Sequence, residues 1–181
     1  VVPLGGFDPK TLTAQRVWVH GREDLLGVFG SKAIHLMSPE ERKATLKLED
    51  FFIDVGLPGE RVKELVRVGD VVTRERDLVP MGDLVTGKSL DNRVGLYVMI
   101  EAMRALGATN CDVYAVAAVQ EEVGLRGSRV ATQRIRPELG LAIDITLSND
   151  VPSAKPGERV SEIGGGAAIK VYDGSAIVPK R

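Results

Sequence analysis

Acidic side chains stand at three places where chemistry is possible. Asp91 lies in Lys88-Ser89-Leu90-Asp91-Asn92-Arg93, directly before a long helical pattern. Glu121 and Glu122 follow the apolar run Val113 to Val119, in Gln120-Glu121-Glu122-Val123-Gly124. Asp144 sits between Ile143 and Ile145. In an open α/β sheet, ligands bind beyond the carboxyl ends of the strands. Parallel neighbouring strands would bring these carboxylates together there. Grouped carboxylates repel one another and are costly to desolvate, so positive charge should accompany them. Arg93 and Arg126 are close in sequence, and a pair of divalent cations would serve better. Carboxylate with imidazole suits zinc or cobalt; carboxylate alone suits magnesium or manganese. Each position also has an ordinary reading. An Asp before a helix is commonly its N-cap. Two Glu at a strand end are commonly solvated. Asp144 is harder to explain that way, because apolar strands rarely bury a lone carboxylate.

Two regions must position these groups. From about Gly6 to Asp77 the elements are short. Alternation predicts a strand at 15–20, and a second short strand is expected at 25–30 after the turn residues Gly21 to Asp24. Ser38-Pro39-Glu40-Glu41 carries a cap, a proline at the first helical position and a capping-box glutamate, predicting a helix to about Leu48. Further strands are expected at 51–55 and 71–74, with a helix at 59–66 between them. From Pro80 onward the units lengthen. Leu96, Met99, Ile100 and Met103 make one face of a helix over 91–106, ended by Gly107. A strand at 113–119, apolar on both faces, a helix at 128–134, and strands at 139–145 and 167–172 predict a mostly parallel, covered sheet. The expected division is 1–79, a β-rich unit with its leading connector, and 80–181, part of an α/β catalytic domain.

The chain has 181 residues, 44% hydrophobic and 27% charged, as in a globular protein. Its net charge of −1 gives no whole-chain argument for nucleic acid. No apolar run is long enough to span a bilayer. Cys111 is the only cysteine, so no internal disulfide is possible, and the cytoplasm is the expected location. The start, Val1-Val2-Pro3-Leu4-Gly5-Gly6, has neither signal-peptide character nor a Met. The chain is expected to begin within a longer protein.

At Gly87-Lys88-Ser89-Leu90-Asp91-Asn92-Arg93-Val94-Gly95, Gln120-Glu121-Glu122-Val123-Gly124-Leu125-Arg126-Gly127 and Asp144-Ile145-Thr146, the sequence resembles the tetrahedral (TET) dinuclear metallo-aminopeptidases. These include deblocking, leucyl and glutamyl aminopeptidases of archaea and bacteria. Gly5-Gly6-Phe7-Asp8, Gly27-Val28-Phe29-Gly30-Ser31-Lys32 and Ile53-Asp54-Val55-Gly56 extend the likeness along the chain. It implies an α/β/α sandwich peptidase domain with an inserted, small, barrel-like β domain that mediates dimer contacts. It implies six dimers in a hollow dodecamer and peptide substrates. It implies two metals, zinc or cobalt, with Asp91 bridging them, Glu122 on one and Asp144 on the other. Glu121 matches the general base, and the Asp91–Asn92 peptide is expected to be cis. The family also uses two histidine ligands, one upstream and one downstream of this segment. His20 and His35 match neither, since both fall in the insert. As written, the chain offers each metal two carboxylates, one of them shared. It is therefore expected, alone, to bind metal weakly and show little or no peptidase activity. Two other readings stay open: a catalytically inert assembly fragment of such an enzyme, and a glycoside hydrolase, whose chemistry also rests on paired carboxyls.

Overall fold

The computed structural model describes residues 1–172, 174 and 177–178. The chain forms two compact units. The first comprises 1–90 and 110–140, the second 91–109 and 141–181.

The first unit is organised by an antiparallel sheet of four strands: β1 (Arg16–His20), β2 (Asp24–Ser31), β3 (Phe51–Asp54) and β4 (Val71–Arg74), in the order β3-β2-β1-β4. The alternation that predicts these strands also fixes which residues face inward. Val17 and Val19 of β1 are buried, while Trp18 between them pairs with Leu26 on the other face. The core is small: Leu12, Val17, Phe29 and Phe51, with Leu46, Leu48, Ile53 and Val72 packed against it. Phe29 and Phe51 meet edge to face, centroids 6.1 Å apart, a favoured aromatic geometry. With so few buried side chains, each one counts. Phe29→Ala is expected to cost about 3–5 kcal/mol in urea unfolding of this chain. A loss below ~1 kcal/mol would show that this cluster does not hold the unit together.

Two helices belong to this sheet region, α1 (Pro39–Lys43) and α2 (Gly59–Leu65). The capping box at Ser38 and Glu41 forms as the sequence predicts. The helix itself ends at Lys43, well short of Leu48. Ala44 is already extended, at ψ 142°. The extended chain that follows brings Leu46 and Leu48 to the core, so burial outweighs helical continuation. A hairpin not foreseen from the sequence follows, β5 (Val79–Met81) and β6 (Leu84–Thr86), turning at Gly82-Asp83.

The longest helix is α3 (Leu90–Ala105), with Asp91 and Asn92 out of helical conformation. The last is α4 (Arg126–Ile135). The strands expected at 113–119, 139–145 and 167–172 do not form a sheet. Among the described residues their only pairing is an isolated bridge between Tyr172 and Ile177. A strand exists through its ladder partners, and none is supplied here. Their apolar side chains stay open, with Val119 69% and Leu141 86% exposed. Among the described residues the parallel, covered sheet is thus corrected to two antiparallel sheets plus helices. Both strands and helices remain, consistent with an α/β protein. No helix among the described residues is long and apolar enough to cross a membrane.

Candidate functional site

The second unit holds Asp91 and Asp144, and their placement begins with Asn92. Helical geometry starts only after Asn92, whose φ and ψ are −120° and 46°. Its Oδ1 accepts the backbone N–H of Gly95 at 2.9 Å. That is the bond of an N-cap to the third helical residue. The helix is therefore capped by Asn92, not by Asp91, and the ordinary reading of Asp91 falls away. The peptide between the two residues is cis. The other end of the same amide, Nδ2, donates to the carbonyl of Ile143 at 2.8 Å. The residue after Ile143 is Asp144, whose Oδ1 accepts the N–H of Ile145 at 2.8 Å. One side chain thus links the residue after Asp91 to the residue before Asp144. Gly95 makes the cap possible: a Cβ there would stand 2.2 Å from Asn92 Oδ1.

The first unit holds Glu121 and Glu122. The two would point to opposite sides of a straight strand, and the chain does not run straight here. Gln120, Gly124 and Leu125 all have positive φ, at 58°, 113° and 56°. Backbone bonds close the loop: Gly124 N–H and Leu125 N–H to Glu121 O, Arg126 N–H to Gln120 O, and Gly127 N–H to Val119 O. Gly127 lies so close to Val119 that a Cβ would approach its carbonyl oxygen to 2.5 Å. Gly5 abuts the loop elsewhere, and a Cβ there would meet Glu122 at 3.4 Å. Glu121 and Glu122 therefore project from a tight elbow leading into α4.

The chemistry of the donors fits a share in a cation site. Asp91, Glu121 and Glu122 have no side-chain hydrogen bond or ion pair among the described residues. Arg93 and Arg126 likewise form no ion pair among the described residues. These carboxylate oxygens are exposed and available to a hard or borderline cation. The expectation that the fold gathers these carboxylates is not met among the described residues. Among the described residues no three His, Cys, Asp or Glu side chains form a metal-holding group. The two histidines serve elsewhere. His20 lies in β1, with Nδ1 2.8 Å from Asp24 Oδ1 and Nε2 2.9 Å from Thr73 Oγ1. His35 is exposed in a short 3-10 turn. The residues that sequence reasoning missed are Asn92 as cap and Gly127 as loop closure. Asn92 had a signal, an asparagine three residues before a glycine at the start of a helical pattern. Gly127 had none, because its close contact is tertiary.

Comparison with known proteins agrees with the resemblance. A putative aminopeptidase of Acetivibrio thermocellus is 40% identical, covering 96% of this chain and 50% of its own length. The structure of an aminopeptidase from the archaeon Desulfurococcus kamchatkensis superposes with a TM-score of 0.86 at 39% identity, covering 94% of this chain and 47% of that one. The TET1 peptidase of Pyrococcus horikoshii, described as assembling into a tetrahedron or a large octahedral shell, superposes with a TM-score of 0.64 at 30% identity, over 81% of this chain and 47% of its own. A structure described as an endoglucanase from Thermotoga maritima also superposes, with a TM-score of 0.62 at 28% identity, over 83% of this chain and 42% of that one. The chain spans about half the length of the relatives it matches. Residues 1–181 match the M42 glutamyl aminopeptidase family in full, and the chain belongs to that family.

Proposed function

We propose that the protein containing this chain is a two-metal aminopeptidase that releases N-terminal residues from peptides, with Glu121 as general base. Family membership over the whole chain supports the reaction class. The observation that carries the site is the Asn92 bridge, which joins the neighbours of the two acidic residues Asp91 and Asp144. Asp91 would be shared by both cations, with Glu122 on one and Asp144 on the other. Zinc or cobalt, once bound, lowers the pKa of a coordinated water and polarises the scissile carbonyl. Glu121 takes the proton of the attacking water and returns it to the leaving amine. The elbow at 119–127 holds the backbone from which that carboxylate projects. Donors beyond these three carboxylates, such as imidazoles, would complete the coordination.

The β-rich region 1–79 is proposed as a dimerisation domain inserted in the peptidase domain 80–181, and the dimers as parts of a cytoplasmic dodecamer. The shells described for the Pyrococcus horikoshii relative support the self-association in this reading.

The test is metal dependence. The complete protein is expected to release the first residue of a peptide, to lose that activity on chelation and to regain it with zinc or cobalt. Hydrolysis of cellulose that survives chelation would overturn the proposal and favour a glycosidase. This chain alone, purified and analysed for metal, is expected to hold less than one ion per molecule. A tightly bound pair would show that its carboxylates suffice.

A further inference from the structure

We propose that Asn92 is a positioning residue that sets the spacing of Asp91 and Asp144, beyond its role in capping α3. The inference rests on the reading of those two carboxylates as metal ligands. Each end of the Asn92 amide has one fixed partner. Oδ1 accepts from a backbone N–H, that of Gly95. Nδ2 donates to a backbone carbonyl, that of Ile143. A flipped amide would face donor with donor and acceptor with acceptor, so the orientation is determined by its surroundings. A cap needs only the first bond. Serine and aspartate cap as well as asparagine does, and neither can donate to the carbonyl in this way. Serine is too short to span to Ile143, and a carboxylate has no N–H. The second bond therefore serves something other than the helix. It ties the segment carrying Asp144 to the start of the helix that follows Asp91, one residue from each carboxylate. Buried Gly95 is part of the same device, because a Cβ there would stand 2.2 Å from Asn92 Oδ1 and displace the amide.

The experiment compares Asn92→Ser, Asn92→Asp and Asn92→Ala with Asp91→Ala in the complete protein. Three quantities are read: the melting temperature, the zinc dissociation constant by chelator competition, and kcat with KM on a peptide substrate. Asn92→Ser should melt close to wild type, because the cap survives. It should bind zinc about 10–100-fold more weakly, the usual effect of losing a partner that orients ligands. Its kcat should fall more than its KM changes. Asn92→Asp should also lose affinity, although its added charge would by itself attract a cation, so the missing donor is isolated. If Asn92→Ser does not fold, Asn92→Asp decides the matter on the same scale. Wild-type zinc affinity and kcat in Asn92→Ser and Asn92→Asp, with a melting loss confined to Asn92→Ala, would reduce Asn92 to a cap and overturn the inference. If Asp91→Ala itself leaves zinc binding and activity intact, the two-metal reading is what fails.

Discussion

Glu121→Gln is expected to lower kcat in the complete enzyme by about 10²–10⁴-fold, the range that a general acid–base group contributes. The amide keeps the shape of the side chain and cannot take a proton at neutral pH. It should leave the elbow unchanged, because no described bond that closes the loop uses the Glu121 side chain: Gly124 and Leu125 N–H bond to Glu121 O, Gly127 N–H to Val119 O and Ser128 Oγ to Leu125 O. Metal content should therefore stay at the wild-type level, and KM should change little. The measurement is steady-state hydrolysis of an aminoacyl substrate beside metal analysis of the same sample. Retention of most of the activity would remove Glu121 from the chemistry. Loss of metal together with activity would move Glu121 into the ligand set and leave the role of base open.

The second large effect is expected of Asp91→Ala. Proposed as the shared ligand, Asp91 should cost both metals at once, so activity should fall to background and bound metal to near zero. Its removal should not unfold the helix. Asn92, not Asp91, accepts the Gly95 N–H, and the Asp91 carboxylate has no side-chain partner among the described residues. An unaltered melting temperature with metal lost is thus the expected pair of results. Loss of a single metal per chain would mean that Asp91 serves one ion only. A fall in melting temperature of the metal-free protein would mean that the side chain has a structural duty the contacts do not reveal.

Where local chemistry decides, the sequence was a good guide. The capping box at Ser38 forms because both of its bonds lie within four residues. Strand β1 follows its alternation because one face of it, Val17 and Val19, meets a core that period-two spacing can address. The turn between Glu121 and Gly124 is local in the same way, closed by the Gly124 and Leu125 N–H groups on Glu121 O. The helix after Ser38 was misjudged because its length was decided at a distance, by the burial of Leu46 and Leu48. The apolar segments 113–119 and 139–145 have strand composition and form no sheet among the described residues, because composition does not supply a neighbour to bond with.

The sequence by itself determined the residue types at the site: carboxylates at 91, 121, 122 and 144, in motifs specific enough to point to a family. Only the tertiary structure decided what each neighbour does. It gave the cap to Asn92 and so released Asp91, and it joined Asn92 to Ile143, 51 positions along the chain. It also showed that Gly127 is required by the closeness of Val119. The reason is physical. Acidity belongs to a side chain wherever it sits, whereas a hydrogen bond or a steric limit belongs to two groups, and the sequence names only one of them at a time.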